Sequence, residues 1–473
     1  MIPVGFGGAS GGYSVTNSVR ANGTSGYLSR TPGSAATNRK VWTFATWVKK
    51  CGTATYQYVL SSNRGGTTDS IAITNSETIR FFTNDGIDSD LISNAVLRDY
   101  SGWFHLCVVV DTTQAVAADR VKLYLNGVQI TSFGTSTYPS QNYDTYINHT
   151  VSHSICRYAN GGSASLSAYL ADTHIIDGQA LMPTDFGQAD ANGVWVPIAY
   201  AGTFGTNGFK LEFQSSGNLG DDTSGNNNDW TVTGFVASDQ MIDTPTNNYC
   251  TWNAIRPSTS TLSSGNLTAA GTASGTIPAS QSDKWYWEVT ANAVSVVAGV
   301  ENTSGTTYTQ SVTNGTTTGF RYTHSSTTLE YTTNGSTWNT VSAAVSGVAF
   351  PYATGASNTV NFGATAFAYT PPTGFLPITA AHGASTAVTT SGTFTGNANA
   401  DGPFVWTDGN PATLTINGNA VTFGTHADKT AGGFKLRTSS ASYNTSGSNT
   451  WTATAGKRFV YSATSINTAQ GNP

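Results

Sequence analysis

Charge is what this sequence has least of. Of 473 residues, 10% are Asp, Glu, Lys or Arg, where soluble domains usually carry about 25%. The surface must therefore be built from Thr, Ser, Asn and Gly. The net charge is −5, and no basic cluster is denser than Asn38-Arg39-Lys40 or Gly456-Lys457-Arg458. A nucleic-acid partner, which needs a basic stripe, is excluded. The four cysteines, Cys51, Cys107, Cys156 and Cys250, form no CxxC, which argues against a zinc site and leaves buried free thiols as the expectation. No run approaches the 18 or so apolar residues of a membrane span, so no membrane insertion is expected. The start, MIPVGFGGASGGY, lacks the basic and apolar regions of a signal peptide. No stretch of ten or more residues carries a 3.6 period, and no heptads occur, which excludes a helical fold and a coiled-coil shaft.

What is present is strand pattern. Hydrophobic residues make up 38% and aromatics 11%, enough for real cores, and the length suits about three domains. The clearest stretch is WFHLCVVVDTTQAVAADRVKLYLNGVQI, residues 103 to 130. Its first run is apolar at nearly every position, as in a strand covered on both faces of a two-sheet sandwich. In its second run Val121, Leu123 and Leu125 alternate with Lys122 and Tyr124, which predicts one wet face. Asn126-Gly127 then supplies the positive φ of a type I′ turn. Further strands are expected in YQYVLSS, SIAIT and TIRFFT, and in FKLEFQ (Phe209 to Gln214) and DWTVTGF (Asp229 to Phe235). KWYWEVT (Lys284 to Thr290), VSVVAGVEN, GFRYTH and TVNFG follow, with a hairpin around Asn334-Gly335. Trp42, Trp47, Trp103, Trp285 and Trp287 alternate within strands and belong to cores.

The expected organisation is a Gly-rich arm at 1–20, a first β-sandwich at 21–252, a second at 253–380 and a C-terminal β module at 381–473. DTPTNNYCTWN, residues 243 to 253, is the expected exit linker of the first domain, with Pro245 fixing an extended path. The fold class is all-β, as tandem antiparallel sandwiches.

The hhYhNG hairpin, together with VWTFATWVKK upstream and AYLADTHIIDGQALMPTDFG downstream, resembles the concanavalin A-like jelly roll of laminin G and pentraxin domains. WYWEV, a later Y..NGS.W and VNFGATAFAYTPPTGF resemble the SPRY (B30.2-like) sandwich. The order of the modules, with DTPTNNY between them and ADGPF…GFKLRTS after them, resembles structural proteins of tailed bacteriophages, especially marine ones. The resemblance covers nearly the whole chain but departs at FVYSATSINTAQGNP, which leaves the partner of the last strand open. It implies a virion-surface protein made in the bacterial cytoplasm, with other virion proteins and further copies of itself, as a homotrimer or higher oligomer, for partners.

Catalysis finds little support. Glycosidases need paired carboxyls about 5 to 9.5 Å apart, yet Glu77, Glu212, Glu288, Glu301 and Glu330 are isolated, and Asp85, Asp88 and Asp90 sit in an ordinary turn composition. No GxSxG or HExxH occurs. His105 and His174 read as satisfied core or edge residues. Asp221, Asp222, Asn226 and Asp229 form the best metal candidate, a loop that could wrap Ca²⁺; the preferred alternative is an Asx-turn loop bonding its own backbone. Asp172 and Asp177 are a weaker pair.

Glycan binding needs aromatic faces beside amides and carboxylates. Tyr138, Asn142, Tyr143, Asp144, Tyr146 and Asn148, in the long segment between Ile130 and Ser167, are the candidates, with self-packing of the loop or an inter-subunit contact as an even alternative. The expected function is non-enzymatic: a tail fibre or surface appendage that contacts host surface polysaccharide. A capsid decoration or head-fibre protein and a polysaccharide depolymerase are the alternatives.

Overall fold

The computed structural model describes residues 13–380 apart from 53–55, 162–165, 191–192, 256–259 and 280–283, and beyond 380 the backbone of six strands. The chain divides into two units, Met1–Ala381 and His382–Pro473. It is all-β: among the described residues the helices are four three-residue 3₁₀ turns, and none is long and apolar enough to cross a membrane.

The first sandwich faces two antiparallel sheets together. One is centred on Val41–Lys50, flanked by Phe104–Asp111 and Ser167–Asp177. The other runs, in spatial order, Phe133–Thr137, Ser89–Val96, Thr78–Thr83, Thr67–Ile73, Gln57–Arg64, Ser152–Ile155, Tyr27–Arg30 and Thr231–Thr233. Phe44, Leu106 and Leu170 from the first sheet meet Leu60, Ile71 and Phe81 from the second in one buried cluster. Within residues 103–130, Phe104–Asp111 pairs antiparallel with Val121–Leu125 as the expected hairpin, Leu106 opposite Leu125 and Val110 opposite Val121. The Asn126-Gly127 turn, which joins Val121–Leu125 to the following strand Val128–Gln129, has φ of 48° at Asn126 and 77° at Gly127, the type I′ geometry that matches strand twist.

Three expectations need correction. The second run of the hairpin has no wet face at Tyr124, which is buried: the segment after Asp177 folds back over this sheet, and Tyr124 joins Ala45, Cys107, Val109, Ile176 and Phe186 in a further apolar layer. The arm at 1–20 is not an arm from Tyr13 on, since Tyr13 Oη donates to Asp172 Oδ1 at 3.0 Å and Ser18–Asn22 is a strand between Ser167–Asp177 and Gln240–Met241. Residues 1–12 lie outside the described residues. FKLEFQ and DWTVTGF form shorter strands than expected, Phe209–Leu211 and Thr231–Thr233.

The expected linker 243–253 is a further correction, because it is buried and not exposed. Asp243, Thr244, Asn248, Tyr249, Cys250 and Trp252 are all at most 5% accessible. Polar backbone in that position must be bonded, and Cys250 N donates to Ile378 O at 2.9 Å while Trp252 N donates to Asn266 O at 2.8 Å. Trp47, Trp103 and Tyr169 of the first sandwich share one apolar cluster with Trp252, Trp285 and Trp287.

The second sandwich places Lys284–Ala291 between Asn358–Asn361 and Thr317–Thr323 in an eight-stranded sheet. Its partner sheet is Ala273–Ser274, Ala349–Thr354, Val296–Asn302 and Thr307–Val312. The Asn334-Gly335 turn is wider than a two-residue hairpin, because the ladder resumes with Tyr331 opposite Asn339. Asn334 Oδ1 accepts from the backbone of Ser336 and Thr337 and holds this loop.

In the second unit Val388–Gly396, Thr413–Ile416, Asn419–Ala420 and Gly447–Ala455 form one sheet. Phe459–Tyr461, within the departing FVYSATS stretch, pairs with Val405–Thr407.

Candidate functional site

The two sheets of the first sandwich differ in what covers them. The sheet around Val41–Lys50 is buried on both faces, whereas the outward face of its partner carries half-exposed aromatic side chains. Register defines that face: Tyr58 lies opposite Ala72 and Ala72 opposite Arg80, and in the next row Ser61 lies opposite Ser70 and Ser70 opposite Phe82. Tyr56 and Tyr158 join Tyr58, with ring centroids 5.1 Å apart for Tyr56 and Tyr58 and 4.6 Å for Tyr58 and Tyr158.

Each ring is fixed by bonds at its rim. Arg80 Nη1 donates to Tyr56 Oη at 2.8 Å, while Nε and Nη2 form a fork on Asp90 at 2.6 and 2.8 Å. The Arg80 guanidinium also lies 4.4 Å above the Phe82 ring. Tyr158 Oη contacts Thr68 Oγ1 at 3.2 Å and donates to Asp85 Oδ1 at 3.1 Å. Ser70, on the same strand as Thr68, is fully buried, and its Oγ has no partner. Ser61 Oγ donates to Arg157 O and accepts from Ala159 N, both at 2.7 Å, which holds the segment carrying Tyr158 against the sheet. Burial and the neighbouring tyrosines push the Tyr58 hydroxyl up to about 12, and burial raises Tyr56 and Tyr158 as well. All three therefore remain neutral hydroxyls near pH 7. The result is a rigid apolar row bordered by the amide of Asn63 and the carboxylates of Asp85 and Asp90, a combination that can stack on a sugar ring and bond its hydroxyls.

The residues singled out from sequence lie elsewhere. Tyr143 Oη donates to Asp88 Oδ2 at 3.0 Å, the backbone N of Tyr146 donates to the buried Asp69, and Arg64 lies 5.2 Å from the Tyr146 ring centroid. Tyr138 packs against the apolar core of the sandwich. Asp144 and Asn142 are exposed, and Asn142 N donates to Thr112 O at 2.7 Å. These contacts weld the loop to the end of the sheet. Asn148 departs from the exposed position expected of it: it is 3% accessible, and its Nδ2 donates to Asp177 Oδ1 at 2.6 Å. It lines a small cleft with Arg30, His153, Asn207, Phe209 and Trp230.

In the loop considered for calcium, Asp222 accepts from Lys210 N, Ser224 N, Ser224 Oγ and Asn228 N at 2.8 to 2.9 Å. Asp229 Oδ1 accepts from Asp222 N at 2.9 Å, and Asn226 Nδ2 donates to Gly205 O at 2.7 Å. The side chains thus bond backbone, the Asx-turn arrangement; Asp221 is exposed. Asp177 likewise accepts from Thr37 N, Asn38 N, Asn148 Nδ2 and Asn207 N. Burial raises Asp172 to about 6, with Lys210 opposing the shift. Among the described residues no three His, Cys, Asp or Glu side chains converge as a metal-holding group.

All four cysteines are free and buried. His105 and His174 are core residues but are not satisfied: Nδ1 of His105 and both ring nitrogens of His174 lack hydrogen bonds. Burial holds both at about 3. His174 Nε2 lies 3.5 Å from Asp172 Oδ1, at the limit of reach and without a formed bond.

Residues 22–185 match a family model described as the Concanavalin A-like lectin/glucanases superfamily. This concanavalin A-like region contains the tyrosine row. Among solved structures, the chain is similar to a heptameric SAP-like pentraxin from Limulus polyphemus, at 15% identity over 36% of this chain and 80% of that one, TM-score 0.26. A putative carbohydrate binding protein from Bacteroides ovatus aligns at 10% identity over 46% of this chain and 58% of its own length, TM-score 0.30. The chain thus spans little more than half of that protein. Domain 4 of AbnA, a GH43 extracellular arabinanase from Geobacillus stearothermophilus solved with arabinotriose, aligns at 14% identity over 32% and 66%, TM-score 0.24. At these identities and scores the similarities fix no shared activity. No curated protein sequence matches the chain.

The sequence signal for the tyrosine row was Tyr56-x-Tyr58, a period-2 pair at the start of the strand Gln57–Arg64. Tyr158 carried none, since only the fold brings its segment across that strand.

Proposed function

We propose that the concanavalin A-like sandwich binds glycan on its open sheet face and performs no catalysis. The observation that carries this reading is the row Tyr56, Tyr58 and Tyr158, preorganised by Arg80, Thr68 and Asp85, whose rings stay half-exposed on the outward side of the sheet. Flat, pre-fixed aromatic rings give contact area without ordering cost on binding. A sugar ring stacks on Tyr58 and Tyr158, and its hydroxyls bond Asp85, Asp90 and Asn63. The module order supports placing the protein on the surface of a tailed phage, as a tail fibre or related appendage contacting host polysaccharide. Display as a trimer or higher oligomer raises weak single-site affinity by orders of magnitude.

The test is binding of the full chain to purified host envelope polysaccharides, with released reducing ends assayed in the same tubes. Saturable binding that Tyr58→Ala and Tyr158→Ala each weaken by about tenfold, without sugar release, upholds the reading. Release of reducing ends makes the protein a depolymerase. Absence of binding by a folded, oligomeric sample favours capsid decoration.

A further inference from the structure

The outward face of the eight-stranded sheet in the second sandwich is closed over one half and open over the other. Over the closed half, the Glu288 carboxylate accepts from Tyr286 Oη at 2.7 Å and from the backbone N of Ala368 and Tyr369 at 2.8 Å. That ties the strap after Asn358–Asn361 onto the sheet. Over the open half, Arg321 forms a fork on Glu330, Nε to Oε2 at 2.7 Å and Nη2 to Oε1 at 2.8 Å, with the two side chains 21% and 20% accessible. The guanidinium lies 4.3 Å from the Trp338 ring centroid and 5.4 Å from that of Phe375. Lys284 Nζ lies 5.7 Å from the same Phe375 ring. Lys284 and Arg321 are diagonal neighbours on this face, because Tyr286 is opposite Arg321 and Lys284 opposite Thr323.

We propose that this half-open face is a second binding site, for a carboxylated pyranose such as a uronate unit of an acidic polysaccharide. Glu330 spends its charge on Arg321, so Lys284 leaves one positive charge uncompensated among the described residues. Arg321 Nη1 has no hydrogen-bond partner there either, and its plane is held by the fork and by both rings. A planar, pre-fixed donor beside a lysine fits a carboxylate. The half-exposed Trp338 and Phe375 rings fit the apolar face of the sugar that carries it. A neutral sugar would leave Lys284 unused. The protein's net charge of −5 gives no general attraction for polyanions, so recognition at this place is local. The site is separate from the tyrosine row and does not depend on it.

The experiment titrates the full-length protein with polygalacturonate and, in parallel, with its methyl-esterified form, which keeps the ring and removes the charge. The free acid binds and the ester binds at least several-fold more weakly. Trp338→Ala weakens binding of the acid by tenfold or more, and Lys284→Gln, at a half-exposed position outside the core, weakens it several-fold and erases the preference for acid over ester. Tyr58→Ala and Tyr158→Ala leave this binding intact, which separates it from the site on the first sandwich. No binding of polygalacturonate, equal binding of the ester, or no change in Lys284→Gln overturns the proposal.

Discussion

Lys49 Nζ lies 2.7 Å from Asp243 Oδ2 with both side chains sealed from water. The same ammonium donates to Asn248 Oδ1 at 2.7 Å and to Tyr249 O at 2.6 Å, and Asp243 Oδ1 accepts from Trp103 Nε1 at 2.9 Å and from Tyr249 N at 3.2 Å. A strand of the first sandwich is thereby bonded to the segment that leads into the second. A buried pair with every donor matched is costly to break from one side only.

Asp243→Ala is expected to destabilise the protein by roughly 3 to 5 kcal/mol, the usual cost of leaving one buried charge unpaired. The double variant Lys49→Met with Asp243→Leu should lose less than the two single changes summed. Urea unfolding of the four proteins measures this coupling, and additive losses would refute it.

Tyr158→Ala should weaken glycan binding by about 1 to 3 kcal/mol, the scale of a lost aromatic anchor, while leaving the fold intact. Tyr143→Phe should leave binding unchanged and cost about 1 kcal/mol of stability, the typical net worth of one hydrogen bond. Calorimetric titration beside thermal melts distinguishes the two. A larger binding loss in Tyr143→Phe would return the site to the loop.

Stability should fall on acidification. His105 and His174 are held at about 3 and His153 at about 4, all by burial first, against roughly 6.5 when unfolded. Their contribution is complete above pH 6.5 and is lost as pH falls toward 4, because the unfolded chain takes up protons that the folded one refuses. Asp69 and Asp172, raised by burial to about 6, act oppositely: their contribution is complete below about 4 and is lost as pH rises through 6. Three histidines outweigh two carboxyls, so urea midpoints should drop between pH 7 and 5. His174→Leu should flatten that slope, and an unchanged slope would show that the ring titrates freely.

Chelation should leave the melting temperature unchanged, because Asp222 already spends its oxygens on four protein donors. Asp222→Ala should cost about 2 to 4 kcal/mol, since several buried backbone donors lose their acceptor together. A fall of several degrees with EDTA would show that calcium is held.

Gly127→Ala should destabilise the hairpin turn and the strap together. Its φ is 77°, and an added Cβ would stand 2.4 Å from the Trp195 ring. Urea unfolding compares Gly127→Ala with the parent, and a variant of unchanged midpoint would contradict the packing.

The sequence by itself determined the all-β class, the strand pair within 103–130 and the Asn126-Gly127 turn that follows it, and the tryptophan cores, because these rest on period-2 patterning and local turn chemistry that neighbours cannot reverse. Tertiary structure decided what each face meets. Tyr124 alternates as a solvent residue but is covered by a strap arriving from some sixty residues downstream. Residues 243–253 read as a linker because polar side chains alternate with a proline, yet Lys49, distant in sequence, makes them the join between two sandwiches. The tyrosine row exists because the segment carrying Tyr158 crosses Tyr58, and the Arg321 cradle because Phe375 returns over its strand. Such contacts depend on long-range closure of the chain, which no local pattern encodes.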